Sequence, residues 1–116
     1  MAELTLIRER DAEVIMEGAE CVHLYFQTDK LLFDVATIPP GQRTPLDPGH
    51  QGAHEVAYLI KGHIVFEFPN KKKFMELYPG DAVLIPEGEP HAVVNVGEET
   101  AVMSWSLAPQ LGRPPL

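Results

Sequence analysis

The sequence predicts an all-β protein, folded as a small antiparallel barrel that is closed or nearly closed. Short apolar runs rich in Val, Ile, Leu, Phe and Tyr recur about every ten residues. Gly, Pro, Asn or Asp bounds each run, and helical periodicity is not sustained over any long segment. This combination is typical of a β-sandwich or β-barrel.

Nine segments are predicted to be strands. The first three precede the Pro-Pro-Gly turn at 39–41 and are EVIME (13–17), CVHLYFQ (21–27) and LLFDVATI (31–38). The next three follow the Pro-Gly turn at 48–49 and are EVAYLIK (55–61), HIVFEF (63–68) and KFMELY (73–78). The last three follow the Pro-Gly turn at 79–80 and are AVLI (82–85), HAVVNV (91–96) and TAVMSWSL (100–107). Proline marks the turns because it cannot donate a hydrogen bond to a strand ladder.

A chain of 116 residues fits one domain with one core. We predict a single barrel domain over residues 1–116, with N-terminal strands in about the first 30 residues and a Pro-rich tail over 108–116. Several strands are apolar on both faces, as in YLI and VLI. Such strands are expected where a second sheet or a partner subunit covers the outer side, so we expect a homodimer.

Composition argues against several classes of partner. The net charge of -8 disfavours nucleic acid, which binds clustered Lys and Arg, and the basic run 71–73 is predicted to be a solvated hairpin tip. No signal-peptide pattern and no apolar run of membrane-spanning length is visible, so we expect no membrane association. Cys21 is the single cysteine and cannot form an internal disulfide, and we expect a reducing, cytoplasmic location.

The stretch GDAVLIPEGEPHAVVN (80–95) contains the most specific motif of the chain. It resembles the second motif of the cupin superfamily, G-x5-P-x-G-x2-H-x3-N, at all five specified positions: Gly80, Pro86, Gly88, His91 and Asn95. His91, Val93 and Asn95 share one face of the predicted strand. The resemblance implies a cupin-like jelly roll, also called a double-stranded β-helix.

The first cupin motif, G-x5-H-x-H-x3 or 4-E-x6-G, is matched in part by PGHQGAHEVAYLIKG (48–62). His50, Glu55 and Gly62 fit the second histidine, the glutamate and the last glycine, whereas Pro48 occupies the position of the first histidine. Strand alternation places Glu55 and His54 on opposite faces. We expect Glu55 to point inward, and His54 to be a buried hydrogen-bonded or dimer-interface histidine.

The resemblance implies a divalent metal held by His50, Glu55 and His91 with open positions, the iron, manganese, nickel or zinc identity being left open. The Pro48 side chain has no ligand atom, so water, substrate or a neighbour such as Asp47 must take the place of the first histidine. The alternative is a metal-free pocket in which these side chains bind one another. Glu55 and Asn95 are the candidate catalytic residues, with a structural role for the Asn95 amide equally open.

Other side chains have less specific expectations. The face formed by Ile64, Phe66 and Phe68 is predicted to be core, whereas the last strand directs inward either Val102, Ser104 and Ser106 or Met103 and Trp105. We expect His63 to face solvent, and His23 to be a pocket or interface residue. Cys21 lacks a neighbouring group in sequence that would activate it as a nucleophile.

Three functions are consistent with the sequence. The first is a metal-dependent enzyme acting on a small organic substrate, similar to the dioxygenases, isomerases, lyases and polyketide cyclases of the cupin superfamily. The second is a non-catalytic, small-molecule-binding or sensory cupin with a metal-free or degenerate site. The third is a purely structural role. Both of the first two predict a small-molecule ligand.

Overall fold

The computed structural model describes residues 3–110. Within this range the nine strands are β1 (Glu13–Glu17), β2 (Glu20–Gln27), β3 (Leu32–Ile38), β4 (His54–Lys61), β5 (Ile64–Phe68), β6 (Lys73–Leu77), β7 (Ala82–Ile85), β8 (Ala92–Asn95) and β9 (Ala101–Ala108). Each predicted strand is present, and its ends lie within one residue of the prediction. The part of the predicted C-terminal tail at 111–116 lies outside the described residues.

The strands form two antiparallel sheets. The larger has six strands in the order β1-β2-β3-β9-β4-β7, and the smaller has three in the order β6-β5-β8. Strands that are adjacent in a sheet are often distant in the chain, as β3 and β9 are, which is typical of a jelly roll. The predicted all-β, antiparallel jelly-roll fold is therefore confirmed.

The core lies between the inner faces of the two sheets. Alternation along β4 buries Glu55, Ala57 and Leu59 and exposes their neighbours, as expected. On β5 the predicted core residues Ile64, Phe66 and Phe68 are all buried. For β9, where two faces were possible, the structure turns Met103 and Trp105 inward.

The outer face of the six-stranded sheet explains the strands that are apolar on both sides. In the single chain, Val56, Tyr58, Ile60 and Leu84 are 39 to 56% exposed on this face. The second sheet covers only their inward-facing neighbours. The homodimer stays a prediction, and this outer face is where it would form.

The segment between β3 and β4 positions the candidate site. It runs beside β8, where isolated bridges pair Arg43 with Val94 and Asp47 with His91. The Asp47 N–H donates to the His91 carbonyl at 2.8 Å, and the His91 N–H donates to the Asp47 carbonyl at 2.9 Å. This pairing holds the loop carrying Asp47 against the strand that begins after His91.

The predicted hairpin tip lies between β5 and β6, where Pro69–Lys71 forms a short 3-10 turn and Lys72 adopts a left-handed conformation. Among residues 3–110, the helical segments are too short to cross a membrane.

Candidate metal centre

Three side chains converge at the mouth of the core. Asp47, His50 and Glu55 each offer a ligand atom, and these atoms all lie within 4.8 Å of one another. Asp47 and His50 come from the loop before β4, whereas Glu55 is the first inward residue of β4. The structure therefore brings together two of the predicted ligands and the neighbour proposed to replace the missing histidine.

His91 adjoins this group from the other sheet. Its Nε2 atom lies 3.4 Å from Glu55 Oε1 and 3.8 Å from Asp47 Oδ2. Its Nδ1 atom lies 2.9 Å from the Glu89 carbonyl, which fixes the ring so that Nε2 faces the carboxylates. His91 is buried, and a backbone contact of this kind commonly orients a metal-ligating histidine.

The electrostatics of the group favour a cation between the carboxylates. Burial raises the pKa of Asp47, but hydrogen bonds from His50 and the Gly49 N–H and the charge of His91 outweigh it, and the net shift is downward. Burial lowers the pKa of His91, but Glu55, the Glu89 carbonyl and the charge of Asp47 together raise it above the ordinary value. Each shift favours the charged form of its group, because Asp47 and His91 lie close to groups of opposite charge.

The spacing of the donors fits a divalent transition metal. Ligands bound at about 2.0 to 2.2 Å lie at most about 4.4 Å from each other. The ligand atoms of Asp47, His50 and Glu55 lie within 4.8 Å of one another and need adjustments of only a few tenths of an ångström. His91 Nε2 lies 3.4 and 3.8 Å from the two carboxylates, beside this group of three. Imidazole and carboxylate together suit iron, manganese, nickel or zinc.

One turn behind the site depends on glycine. Gly49 has a φ of 91°, and a Cβ added there would lie 2.6 Å from the Gly88 carbonyl carbon. The Gly49 N–H donates to Asp47 Oδ1 at 2.8 Å. The turn at Gly49 therefore packs against the turn at Gly88, backbone against backbone. This packing fixes the Gly49 N–H, which in turn holds the Asp47 carboxylate in place.

A cavity of about 40 Å³ extends from Asp47, Glu55 and His91 into the core. That volume accommodates about three water-sized groups. It is lined by Glu17, Glu20, Val22, Asp34, Thr44, Pro45, Asp47, Glu55, His91 and Trp105. Glu17, Glu20 and Asp34 were not among the residues predicted for the site, although an inward acidic position within an apolar run such as LLFDVATI was a usable signal.

Two of these carboxyl groups have strongly raised pKa values. Burial, followed by the charge of Glu17, raises the pKa of Glu20 to about 8, although an interaction with the Trp105 indole lowers it in part. Burial, followed by the charges of Glu20 and Glu55, raises the pKa of Asp34 to about 8. Asp34 is 2% exposed, and its Oδ1 atom has no hydrogen-bond partner among residues 3–110.

The structure gives Asn95 the contacts of a structural amide. Its Nδ2 donates to the carbonyls of Ile38 and Glu99, each at 2.8 Å, and its Oδ1 accepts from the Gly97 N–H at 2.9 Å. Asn95 shares a strand face with His91, but four residues of extended chain separate the two by about 13 Å. These contacts favour the structural alternative over a catalytic role.

The other histidines lie away from the cavity. His54 is exposed, so the buried alternative is wrong for the single chain, and its interface role stays a prediction. His23 faces the outer side of β2 and does not line the cavity, which leaves the interface alternative. His63 is half-buried rather than fully solvent-facing, with Nε2 2.7 Å from Glu76 Oε2 and its ring stacked on Tyr78.

Known proteins are similar to this chain in sequence or in structure. The chain is 32% identical over 62 residues to the uncharacterized protein MJ1618 of Methanocaldococcus jannaschii, an alignment that covers 53% of this chain and 47% of that protein. The chain therefore aligns with about half the length of this curated relative.

Two solved structures are similar over most of the chain. One is a predicted oxalate decarboxylase of Thermotoga maritima, with a TM-score of 0.77 and 22% identity over 90% of this chain and 98% of the other. Another is the polyketide cyclase RemF of Streptomyces resistomycificus, with a TM-score of 0.75 and 22% identity over 97% of this chain and 83% of the other. At this identity the likeness concerns the fold alone. The model of the cupin domain family matches residues 34–107, and the chain belongs to the cupin family.

Proposed function

We propose that this protein is a divalent-metal-dependent enzyme that acts on a small organic molecule in the acidic cavity. The observation that carries the proposal is the convergence of Asp47, His50, Glu55 and His91 at the mouth of that cavity. The similarity to proteins described as a decarboxylase and a cyclase supports an enzymatic use of the fold. The reaction type is not part of the proposal, because one scaffold supports many chemistries.

The protein's own groups have defined tasks in this proposal. Asp47 and Glu55 supply two negative charges, and His50 and His91 supply neutral nitrogen ligands. A metal bound by them would polarise a substrate oxygen or activate a water molecule or dioxygen. The Glu89 carbonyl orients His91, and the Gly49 N–H orients Asp47. Glu55 faces the cavity from β4, where its carboxylate would contact both the metal and a bound substrate.

The site is buried enough to exclude bulk water from one side of a bound ligand. Glu55 and His91 are both buried, whereas Asp47 and His50 are partly exposed. This asymmetry leaves the loop side open for exchange of substrate and product. Asn95 is assigned a structural role here, since its amide binds backbone groups at the far end of β8.

Metal content tests the proposal. The protein is purified without chelators or a histidine tag, and transition metals are quantified per chain in the wild type, in His91→Ala and in the matched control His63→Ala. His63 is a suitable control because it contacts Glu76 outside the cavity. We expect stoichiometric metal in the wild type and His63→Ala and its loss in His91→Ala.

The same preparation separates the enzyme from the sensory alternative. A chain that retains no metal, or retains equal metal in His91→Ala, contradicts the proposed function. A metal-free cavity that holds a co-purified small molecule instead supports the non-catalytic binding cupin.

A further inference from the structure

The cavity beyond the metal ligands is lined by more carboxyl groups than a divalent metal would balance. Five carboxyl groups line it, those of Glu17, Glu20, Asp34, Asp47 and Glu55. Among residues 3–110, neither lysine nor arginine lines it. Asp47 and Glu55 suffice to balance a divalent ion, so Glu17, Glu20 and Asp34 have no cationic partner in the cavity.

Asp34 shows most directly that a ligand group is missing. It lies on the inner face of β3, opposite Trp105 of β9, and is 2% exposed. Asp34 lines the cavity, and its Oδ1 atom has no hydrogen-bond partner among the described residues. A buried carboxyl oxygen left unpaired costs free energy, which a bound hydrogen-bond donor recovers.

An anionic ligand is disfavoured here, because like charges in a buried site repel strongly. A protonated amine fits on three counts. It carries N–H donors for Asp34, its positive charge offsets the unbalanced carboxyl groups, and the indole of Trp105 in the cavity wall provides an aromatic surface that favours a cation. The raised pKa values of Glu20 and Asp34 agree with this, because they are the response of buried carboxyls that lack a cation.

We propose that Asp34 and Glu20 form a subsite for a protonated amine, so that the substrate is a small amine that also carries an oxygen ligand for the metal. This inference rests on the proposed function, because the metal holds the other end of the substrate. The cavity volume of about 40 Å³ limits the enclosed part of the substrate to a few heavy atoms.

The subsite is tested with three probes of similar size and different charge: ethanolamine, ethylene glycol and glycolate. Their dissociation constants are measured by calorimetry on the zinc-loaded full chain, for the wild type, Asp34→Asn and the exposed control Asp29→Asn. Loss of one partner of a buried charge pair costs about 2 to 5 kcal/mol. We therefore expect Asp34→Asn to weaken ethanolamine binding at least about thirtyfold relative to glycolate, which is the lower end of that range converted to affinity.

The control variant is expected to bind all three probes as the wild type does. The wild-type protein provides one test that does not depend on the folding of any variant: undetectable ethanolamine binding overturns the proposed subsite. An unchanged ratio of glycolate to ethanolamine affinity in Asp34→Asn overturns it as well. Zinc retention is measured separately in each variant, so that loss of metal contradicts the proposed function, whereas a wrong charge preference in a metal-loaded chain contradicts only the amine subsite.

Discussion

Replacing Asp34 with asparagine should change how the stability of the metal-free protein depends on pH. Burial raises the pKa of Asp34 from 3.8 to about 8. The folded state therefore holds this proton more tightly than the unfolded state does. The stabilisation is complete below the unfolded pKa and is lost as the pH rises through the folded pKa. Asparagine keeps the shape of the side chain but does not titrate.

The size of the effect follows from the shift. A group that is protonated in the folded state and ionised in the unfolded state lowers the free energy of unfolding by about 1.4 kcal/mol for each pH unit. Between about pH 5 and pH 7.5, the titration of Asp34 alone should therefore lower the free energy of unfolding of the wild type by about 3 kcal/mol. Asp34→Asn should not show this pH-dependent loss. The new amide changes the free energy of unfolding by the same amount at every pH, so it does not affect the slope.

Urea denaturation at a series of pH values, with chelator present, measures the difference. We expect the wild-type curve to fall more steeply than that of Asp34→Asn, and the control Asp29→Asn to parallel the wild type. Asp29 is exposed and lies in the connection between β2 and β3. Parallel curves for the wild type and Asp34→Asn over this range would refute the view that Asp34 is a neutral acid in a cation-free cavity.

Three further outcomes follow from the same geometry. Zinc affinity should increase from about pH 6 to pH 8, because the metal must displace the proton from His91, whose pKa is raised. A zinc affinity that does not change with pH in competition titrations would contradict this. Gly49→Ala should lower the free energy of unfolding by more than about 2 kcal/mol, because the added Cβ would meet backbone atoms. At the control position Gly41, an added Cβ meets no atom within 4 Å, and Gly41→Ala should lower the free energy of unfolding by about 1 kcal/mol. Equal losses in urea denaturation would argue against the backbone contact. Small-angle scattering should give a dimer mass for the wild type and a monomer mass for Leu84→Asp, since Leu84 is 56% exposed on the outer sheet face. A monomeric wild type would contradict the predicted dimer.

The strands could be predicted from the sequence because local signals define them. Pro and Gly turns bound the apolar runs, and alternation settled which face of β4 points inward. The orientation of β9 was left open, although the sequence TAVMSWSL carries the same signal: Met103, Trp105 and Leu107 form an apolar face, whereas two serines lie on the other face. Tertiary packing agrees with this alternation, since Trp105 makes an edge contact with Phe66 of the opposite sheet, at 5.7 Å between ring centroids.

The site was predictable only where the motif spans a short segment. The resemblance to the cupin motifs pointed to His50 and Glu55, which lie five residues apart and within ligand distance of Asp47. His91, from the second motif, lies beside this group. The carboxyls of Glu20 and Asp34 come from strands far away in the chain, and only the sheet order brings them to the cavity. A single sequence carries no information on that order beyond the fold that it resembles.

Asp47 changes the charge of the site as well as its composition. Its Oδ1 accepts from the Gly49 N–H, so that Oδ2 is left to face His50 and His91 at 3.5 and 3.8 Å. A histidine ligand in this role would be neutral, whereas Asp47 adds a second negative charge beside Glu55 and makes a divalent site electrically neutral. A divalent metal held there would have no excess positive charge with which to attract an anion. A ligand that pairs with an ionised Asp34 would therefore have to carry positive charge itself, as the proposed amine does.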